Sequence, residues 1–443
     1  MNFINTYKTE LALASLALVV HLAIFAFVIN ANGGSALTAV RGDDGFFELA
    51  ENVLAGNGFS WSPSAPYAPN PLRTPGYSYV LAMLIGAFGI AGAALMQMLV
   101  ASALSPLGMR IAERITNSRK IGIVTGIILA LDPTLALLSF QFYTETFFLV
   151  LFFLWIVVSL NYLERKNLTS LIVGAILLGC AILVKASAQY VPFLFVAFIV
   201  WHHGRSDWRR GITHASVYLL IVGAILTPWV VRNTIVFGVP GLSAQTPFVL
   251  YTNLAPAVLT VARDSTFADE LQAFVTEEEY KGNTITLANG DAYTKRALEV
   301  VRAHPTATLF VASKSLFTFF TNDGFYTLLA RTGHTPADFL PLLIVARLIW
   351  IMITLAAFVG ALVYLLTQRS QLAILIILLV AYFALTSTIA AFGTNPRYRL
   401  PVDPIIIALA AVGYTSLVSV LRRRTSINLA LSDRKNRQDG HDV

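Results

Sequence analysis

Charged side chains are scarce in this chain of 443 residues, since Asp, Glu, Lys and Arg together make up 12% of it. A soluble domain usually has about 25%. Hydrophobic residues make up 56% of the chain, and its mean hydropathy is +0.69. This composition excludes a soluble globular protein and indicates a polytopic membrane protein. Cysteine is almost absent as well. Cys180 is the only one, so no disulfide can form within the chain, and its position in an apolar run indicates a small buried side chain.

Apolar runs long enough to cross a membrane occur along the whole chain. A hydrocarbon core of roughly 30 Å needs about 20 helical residues. Runs of this kind predict an all-helical membrane protein with about ten transmembrane helices. The predicted spans are Leu11–Ile29, Gly76–Leu104, Ile121–Leu138, Gln141–Leu163, Leu168–Val184, Ala188–Trp201, Ile212–Phe237, Leu340–Leu366, Gln371–Phe392 and Val402–Leu421.

Lys and Arg concentrate in the connections that fall on one side of this ten-span arrangement. Cytoplasmic connections are enriched in both residues, so the pattern predicts that both termini are cytoplasmic. The net charge of +7 then reflects topology and contact with anionic membrane lipids rather than binding of nucleic acid. The basic residues in question are Arg110, Arg114, Arg119, Lys120, Arg165, Lys166, Arg205, Arg209, Arg210, Arg369 and those of the tail from Arg422.

Three further segments complete the predicted topology. The apolar stretch Thr306 to Phe320 is predicted to be an interfacial helix, because a crossing there would separate the Arg369 connection from the basic tail. The N-terminal apolar run is too long for the core of a typical signal peptide, which indicates a retained first span. The tail, residues 422–443, is polar and of mixed charge, a composition typical of disorder.

The first outer loop, residues 32–75, has the clearest pattern of the outer segments. From Asp43 onward apolar residues recur at helical spacing, and Gly56 and Gly58 end the pattern, so we predict a helix lying on the membrane surface. Asp43 and Asp44 would fall in its first turn, where free backbone N–H groups favour negative charge. Two interpretations follow: either one of the two acids only caps the helix, or the pair takes part in a reaction at the membrane surface.

Five motifs follow one another in the predicted outer segments and at the outer span ends. They are Asp43-Asp44-Gly45-Phe46-Phe47 with Gly56-Asn57-Gly58-Phe59, Leu72-Arg73-Thr74-Pro75-Gly76-Tyr77, Thr144-Glu145-Thr146-Phe147, Pro228-Trp229-Val230-Val231-Arg232-Asn233 with Phe237-Gly238, and Arg397-Tyr398-Arg399-Leu400-Pro401. In type and order they resemble the motifs of the GT-C membrane glycosyltransferases, especially bacterial relatives of the protein O-mannosyltransferases and of the lipid A aminoarabinose transferase. The resemblance runs from Asp43 to Pro404 and covers most of the chain. Lys185 departs from it, because many relatives have Arg-Pro there.

This resemblance implies transfer of a sugar from a polyprenyl phosphate to an acceptor on the outer face of the membrane, here a bacterial inner membrane. A lipid phosphate lies at headgroup depth and needs cationic partners there, while its hydrocarbon chain lies along apolar spans. The candidate donor phosphate-binding residues are Arg73, Lys185, Arg232, Arg397 and Arg399. For each one taken alone, the alternative is a side chain that reaches the membrane interface without binding a ligand.

Three acids are the candidate catalytic residues: Asp43, Asp44 and Glu145. Asp43 has the family spacing to Phe47 and is predicted to take the proton from an acceptor hydroxyl or amine during a displacement with inversion. Asp44 would cap or position, and Glu145 would orient the donor sugar or the acceptor. The candidate substrate-binding residues are Trp229, Asn233 and Tyr398, whose aromatic members can stack on sugar rings.

No metal site or cofactor is predicted, because the seven His are scattered and no His-Cys cluster occurs. A divalent cation in the acidic loop has no support beyond the acids themselves. The predicted organisation is one membrane domain, residues 1–421, in which the outer segment 238–339 caps the site. The run Glu277-Glu278-Glu279 within that segment is interpreted as solvated surface.

Two other functions stay open at this point. A secondary transporter or lipid flippase would also be apolar and decaspanning, but it predicts ionisable residues at span centres and symmetry between halves. Most charges here lie in loops and at span ends. A polymerase or ligase of lipid-linked glycans would share an outer-leaflet donor, and the motifs do not separate it from a transferase of single sugars.

Overall fold

The computed structural model describes residues 7–277, 283–368 and 371–419. Within these ranges the chain forms helices and connecting turns, and it contains no β-strand. The predicted all-helical membrane fold is confirmed. The predictions that concern Glu278, Glu279, Arg369 and the tail 422–443 lie outside the described residues.

Seven helical segments in the described part of the chain are long and apolar enough to cross a membrane. They are Lys8–Ala31, Pro75–Thr116, Glu145–Arg165, Arg205–Phe237, Pro336–Leu366, Gln371–Gly393 and Leu400–Ser419. Three predicted spans correspond to shorter helices, Arg119–Ala130, Leu168–Val184 and Val191–His203. The predicted number of about ten is therefore approximate. The third predicted span is interrupted because the Asp132 side chain caps a separate short helix, Pro133–Leu138.

The long segments divide into helices at kinks and turns. Gly89 kinks the helix Pro75–Ser102, which Leu104–Thr116 follows, and the other long helices run Trp208–Phe237, Leu340–Gln368 and Gln371–Ser387. Shorter helices are Ala36–Val40, Phe46–Leu54, Gln245–Val249, Ala255–Arg263, Phe267–Val275, Gly290–Ala303, Pro305–Thr321 and Phe325–Arg331, with a π-helical turn at Leu250–Leu254. Turns of 3-10 helix occupy Ala186–Ala188, Arg205–Asp207, Pro336–Phe339, Thr388–Gly393, Pro396–Tyr398 and Leu400–Val402.

The helix of the first outer loop begins at Phe46 and ends at Leu54. Gly45 is its N-cap residue, with φ 76°. The prediction that both acids lie in the first helical turn is therefore wrong, because the chain makes a left-handed turn at Gly45 after them. Glycine suits this turn, since a left-handed conformation disfavours side chains and a Cβ would lie 2.8 Å from the Trp61 ring.

The apolar face of this first-loop helix is buried against protein. Phe46 packs edge-on against Tyr77, with ring centroids 5.3 Å apart, and Phe47 stacks on Phe142 at 6.0 Å. Both phenylalanines are 5% exposed. The helix thus fixes the turn at Gly45 against the helix Pro75–Ser102 and against the segment that precedes the helix Glu145–Arg165.

The helix Glu145–Arg165 separates two charged regions of the molecule. Its 21 residues correspond to a length of about 31 Å. Near its C-terminal end Glu164 pairs with Arg114 at 3.0 Å, within the basic connections predicted to be cytoplasmic. Glu145, at the other end, therefore lies about one membrane thickness away from those connections.

The helix Pro75–Ser102 begins in close contact with the end of the helix Leu168–Val184. Gly76 permits this approach, since a Cβ there would come within 2.8 Å of a backbone carbonyl of the second helix. The residues just outside these two helix ends, Arg73 and Lys185, are consequently brought to the same region of the protein.

We expect Gly76→Ala to lower the free energy of unfolding by about 1–3 kcal/mol, because the clashing partner is backbone and cannot rotate aside. Thermal unfolding of the purified protein in detergent measures this. Gly223→Ala is the matched control, since it is also a helical glycine but an added Cβ meets nothing within 4 Å. An unfolding temperature for Gly76→Ala equal to that of the wild type would contradict the close contact.

Candidate active site

A cavity of about 340 Å³ lies where the helix Glu145–Arg165 begins. We call it the basic cavity, because three cations reach it. Its charged lining residues are Asp44, Arg73, Glu145, Lys185 and Arg397. Much of the remaining wall is apolar and includes Val184, Tyr190, Val249, Tyr382, Phe383 and Ile389. Such a cavity can bind an anionic group together with an apolar chain.

Asp44 bridges two of the cations. Its Oδ1 lies 3.2 Å from Nη2 of Arg73, and its Oδ2 lies 3.1 Å from Nη1 of Arg397. Arg73 also donates from Nε to the Asp44 backbone carbonyl at 3.1 Å and from Nη1 to Oε1 of Gln245 at 3.0 Å. One carboxylate thus connects the first loop to the final outer link, residues 393–401.

Glu145 forms the second half of the same charge network. Nζ of Lys185 donates to its Oε1 at 2.6 Å, and Nε of Arg397 lies 3.9 Å from that oxygen. The Glu145 side chain is 3% exposed, so its charge depends on these cations. The network alternates in sign from Arg73 through Asp44, Arg397 and Glu145 to Lys185, with one cation in excess.

Burial and neighbouring charges act on the two arginines of this network in opposite ways. Burial lowers the pKa of Arg73, although Asp44 opposes the effect. Burial would also lower the pKa of Arg397, but the charges of Glu145 and Asp44 raise it well above its usual range. Arginine stays protonated in either case, so the basic cavity keeps both guanidinium charges at every accessible pH.

Aromatic rings pack around the same cations. The Arg397 guanidinium lies 5.5 Å from the ring centroid of Tyr143 and 5.7 Å from that of Tyr398, and Nζ of Lys185 lies 6.0 Å from the Tyr398 centroid. These cation–π contacts orient the charged groups. Tyr398 itself lines the basic cavity, as expected for a substrate contact.

Asp43 faces a different cavity, which is open and has a volume of about 410 Å³. We call it the Trp61 cavity. Its lining residues are Arg41, Gly42, Asp43, Gly45, Glu48 and Trp61. Asp43 accepts a hydrogen bond from the Tyr143 hydroxyl and lies 2.9 Å from Nη2 of Arg331. Two consecutive acids therefore line two separate cavities.

The environment of Asp43 favours its charged form. Partial burial would raise the pKa of Asp43, but the hydrogen bond from Tyr143 and the charge of Arg331 outweigh it and lower that pKa below its usual range. The side chain is 73% exposed. Asp43 is thus an accessible carboxylate that is ionised at neutral pH.

Two predicted phosphate ligands do not line either cavity. Arg399 is fully buried: its Nε donates to Asp403 at 2.6 Å and its Nη1 to the Phe319 and Asn322 carbonyls at 3.0 and 2.9 Å. It anchors the final link. Arg232 lies 4.7 Å from the ring centroid of Trp229, and its Nη1 donates to Oδ1 of Asn233 at 2.8 Å.

Trp229 and Asn233 contact backbone instead of an open cavity. The Trp229 indole N–H donates to the Leu242 carbonyl at 2.9 Å, and the Asn233 amide donates to the Gly241 carbonyl at 2.8 Å. These bonds fix the segment that leads to Gln245, a wall residue of the basic cavity. Neither predicted substrate contact lines the basic cavity, and both side chains hydrogen-bond to the segment that leads to it.

Three residues at the site were not predicted as functional. Tyr143 directly precedes a predicted motif, and Arg331 is the only Lys or Arg between Asn322 and Asp338, so the sequence offered some indication of both. It offered none of Gln245, because a single polar residue in a long outer segment is unremarkable in sequence. As for metals, no group of three or more His, Cys, Asp or Glu side chains suited to a metal ion occurs among the described residues.

Comparison with known proteins supports the class of this site. Residues 73–231, a little over a third of the chain, match the sequence model of the dolichyl-phosphate-mannose-protein mannosyltransferase family. No curated protein matches the chain significantly. The predicted resemblance to the GT-C membrane glycosyltransferases is confirmed over this region.

Solved structures share the fold. The archaeal oligosaccharyltransferase AglB from Archaeoglobus fulgidus, in complex with an inhibitory peptide and a dolichol-phosphate, aligns at 15% identity and a TM-score of 0.52 over 97% of this chain and 52% of that one. The apo form of the Archaeoglobus fulgidus oligosaccharyltransferase aligns at 13% identity and a TM-score of 0.52, over 97% and 53%. This chain therefore spans about half the length of these two structures. ArnT from Cupriavidus metallidurans aligns at 15% identity with a TM-score of 0.38, over 90% and 77%.

We expect Asn233→Ala to loosen the segment that follows the helix Trp208–Phe237. The Gly241 carbonyl would lose its bond from the Asn233 amide, and the Leu242 carbonyl would keep only the bond from Trp229, at a cost of about 1–3 kcal/mol in the free energy of unfolding. Hydrogen exchange of peptides covering residues 241–249 should quicken. Gln272→Ala, at an exposed helical position, is the control. Unchanged exchange in Asn233→Ala would contradict a positioning role.

Proposed function

We propose that this protein transfers a sugar from a polyprenyl-phosphate-linked donor to an acceptor, with inversion at the anomeric carbon. The observation that carries the proposal is the basic cavity, in which three cations and two carboxylates alternate beside an apolar wall. The excess cation favours an anionic phosphate, and the apolar wall suits a lipid chain. The similar fold of an oligosaccharyltransferase solved with a dolichol-phosphate supports a lipid-phosphate ligand.

We also propose that the site faces the outside of a bacterial inner membrane and that both termini are cytoplasmic. The support is the separation of about 31 Å between Glu145 and the basic connections, across the helix that joins them. Cytoplasmic loops are the ones enriched in Lys and Arg. The acidic end of that helix, with both cavities, is then on the outer side.

In the proposed reaction the acceptor oxygen or nitrogen forms a bond to the anomeric carbon while the bond from that carbon to the phosphate oxygen breaks. The acceptor proton passes to Asp43, which is exposed and ionised. Asp44 is a poorer base, because both of its carboxylate oxygens contact guanidinium groups. The charge that develops on the departing lipid phosphate is stabilised by Arg73, Arg397 and Lys185.

The test is an assay of purified protein with a panel of polyprenyl-phosphate sugars, in which release of free polyprenyl phosphate is measured. We expect Asp43→Asn to lower the rate about 10²–10⁴-fold, because a general base is removed. Asp264→Asn is the matched control: Asp264 is an exposed residue at a helix end with φ 51°, a conformation that asparagine adopts equally well.

Two results would contradict the proposal in different ways. If Asp43→Asn remains folded and releases as much polyprenyl phosphate as the wild type, Asp43 is not the base. If the wild type turns over no donor, and reconstituted liposomes instead show flux of a substrate, the protein is a transporter. Product chains with several added sugars would identify a polymerase.

We expect Tyr143→Phe to move the acidic limb of the pH–rate profile to higher pH. The base acts when deprotonated, so activity is present above the pKa of Asp43 and is lost as pH falls through it. The Tyr143 hydroxyl lowers that pKa by stabilising the carboxylate, and its removal raises the pKa. The measurement is kcat/KM for the acceptor as a function of pH.

The control for this shift is Tyr326→Phe, which removes a hydroxyl from an exposed tyrosine on the same short helix as Arg331. Its profile should match that of the wild type. An acidic limb that stays in place in Tyr143→Phe would show that Asp43 does not govern it.

A further inference from the structure

We propose that the Trp61 cavity is the acceptor subsite and that the acceptor is a carbohydrate, bound with one sugar ring against Trp61. This inference rests on the proposed function, because it assigns the acceptor to one cavity and the lipid-linked donor to the other. Its volume of about 410 Å³ lies within the range of roughly 300–1,000 Å³ found for small-molecule sites.

The lining chemistry is the first argument for a sugar. An indole presents a flat apolar surface on which the C–H face of a pyranose can pack. Around it lie the carboxylates of Asp43 and Glu48 and the guanidinium of Arg41, groups that make strong charge-assisted hydrogen bonds to neighbouring hydroxyls. This combination matches a molecule with one apolar face and a rim of hydroxyls.

The second argument is an unused acceptor atom on Glu48. Its Oε1 accepts from Arg41, but its Oε2 is buried and has no hydrogen-bond partner. Buried polar atoms without partners are rare in folded proteins. Glu48 lines the Trp61 cavity, so a rotation of its carboxylate group would turn this oxygen toward a sugar hydroxyl that donates to it.

The third argument is that the indole is placed beside the proposed base. Trp61 packs on Gly45, where an added Cβ would lie 2.8 Å from its ring. Gly45 is two residues from Asp43 in the same tight turn. A sugar on Trp61 therefore lies next to the carboxylate that would take its hydroxyl proton, and the neighbouring Asp44 lines the cavity proposed for the donor.

The charges of the cavity favour a neutral acceptor over a peptide. Arg41 pairs with Glu48, and Arg331 pairs with Asp43, so neither sign is in excess. Extended peptides commonly bind by adding a strand to a sheet edge, and residues 7–277, 283–368 and 371–419 contain no strand. A polyhydroxylated ring needs neither a charge excess nor a sheet edge.

The first test measures binding without any donor, by saturation-transfer NMR in detergent. The probes are methyl mannoside, methyl glucoside and methyl galactoside, together with a short serine-containing peptide. We expect at least one glycoside to bind the wild type, and Glu48→Gln and Trp61→Leu each to weaken that binding about tenfold. Trp208→Leu, at an exposed tryptophan that starts another helix, is the control and should bind as the wild type does.

Glu48→Gln keeps the test valid if Trp61→Leu fails to fold, because the amide preserves the shape of the side chain. Glycoside binding that survives in Glu48→Gln, or glycoside binding that is lost equally in Trp208→Leu, would overturn the assignment. Peptide binding that depends on Trp61 and Glu48, with no glycoside bound, would overturn the carbohydrate and indicate a protein acceptor.

The second test uses turnover. With an active donor, Glu48→Gln should raise KM for the glycoside about tenfold while KM for the donor stays unchanged. Variants of the basic cavity such as Arg73→Gln should instead raise KM for the donor. If no donor is turned over but glycosides still bind through Trp61, the proposed function fails and the sugar site remains. An unchanged acceptor KM in Glu48→Gln refutes the subsite.

Discussion

The arrangement of the site depends on Arg397 and the two carboxylates that it contacts. Its guanidinium lies 3.1 Å from Asp44 and 3.9 Å from Glu145, so it connects the first outer loop, the start of a long helix and the final outer link. Without this cation, Asp44 would keep only Arg73 and Glu145 only Lys185 as a charged partner, beside an apolar wall where charges are weakly screened. The three segments come from distant parts of the chain, and these ion pairs join them in addition to apolar packing.

Contacts outside the two cavities hold the segments of this network in place. Gly76 lets two helix ends approach closely, Asn233 fixes the segment that carries Gln245, and Arg399 anchors the final link from its buried side. Each of these residues lies in a predicted motif, but none of them lines either cavity. Each one instead contacts a segment that carries a lining residue. The motif residues therefore fall into two sets: those that line a cavity and those that fix the chain around it.

The sequence predicts the fold class well because hydrophobicity along a helix is a local property. It also marks Asp44, Arg73, Glu145, Lys185 and Arg397 as separate candidates, because each lies in a predicted outer segment or at an outer span end. It does not show that they meet. The prediction from sequence fails where the local backbone conformation determines the direction in which a side chain points. Arg397 lies in one 3-10 turn and Arg399 lies between that turn and the next, and their side chains point to different sides, one into the basic cavity and one into the protein. The helix start at Phe46 instead of Asp43 has a similar cause, because a single left-handed glycine separates the acids from the helix.

Backbone direction also explains why the consecutive acids line different cavities. In an extended chain, neighbouring side chains point to opposite sides. Asp43 and Asp44 are adjacent in the sequence, and each lines a different cavity. A displacement with inversion needs the attacking and departing groups on opposite sides of the reacting carbon. A turn that presents one acid to each side suits the proposed displacement, and Tyr143, which donates to Asp43 and lies under Arg397, contacts a charged group of each cavity.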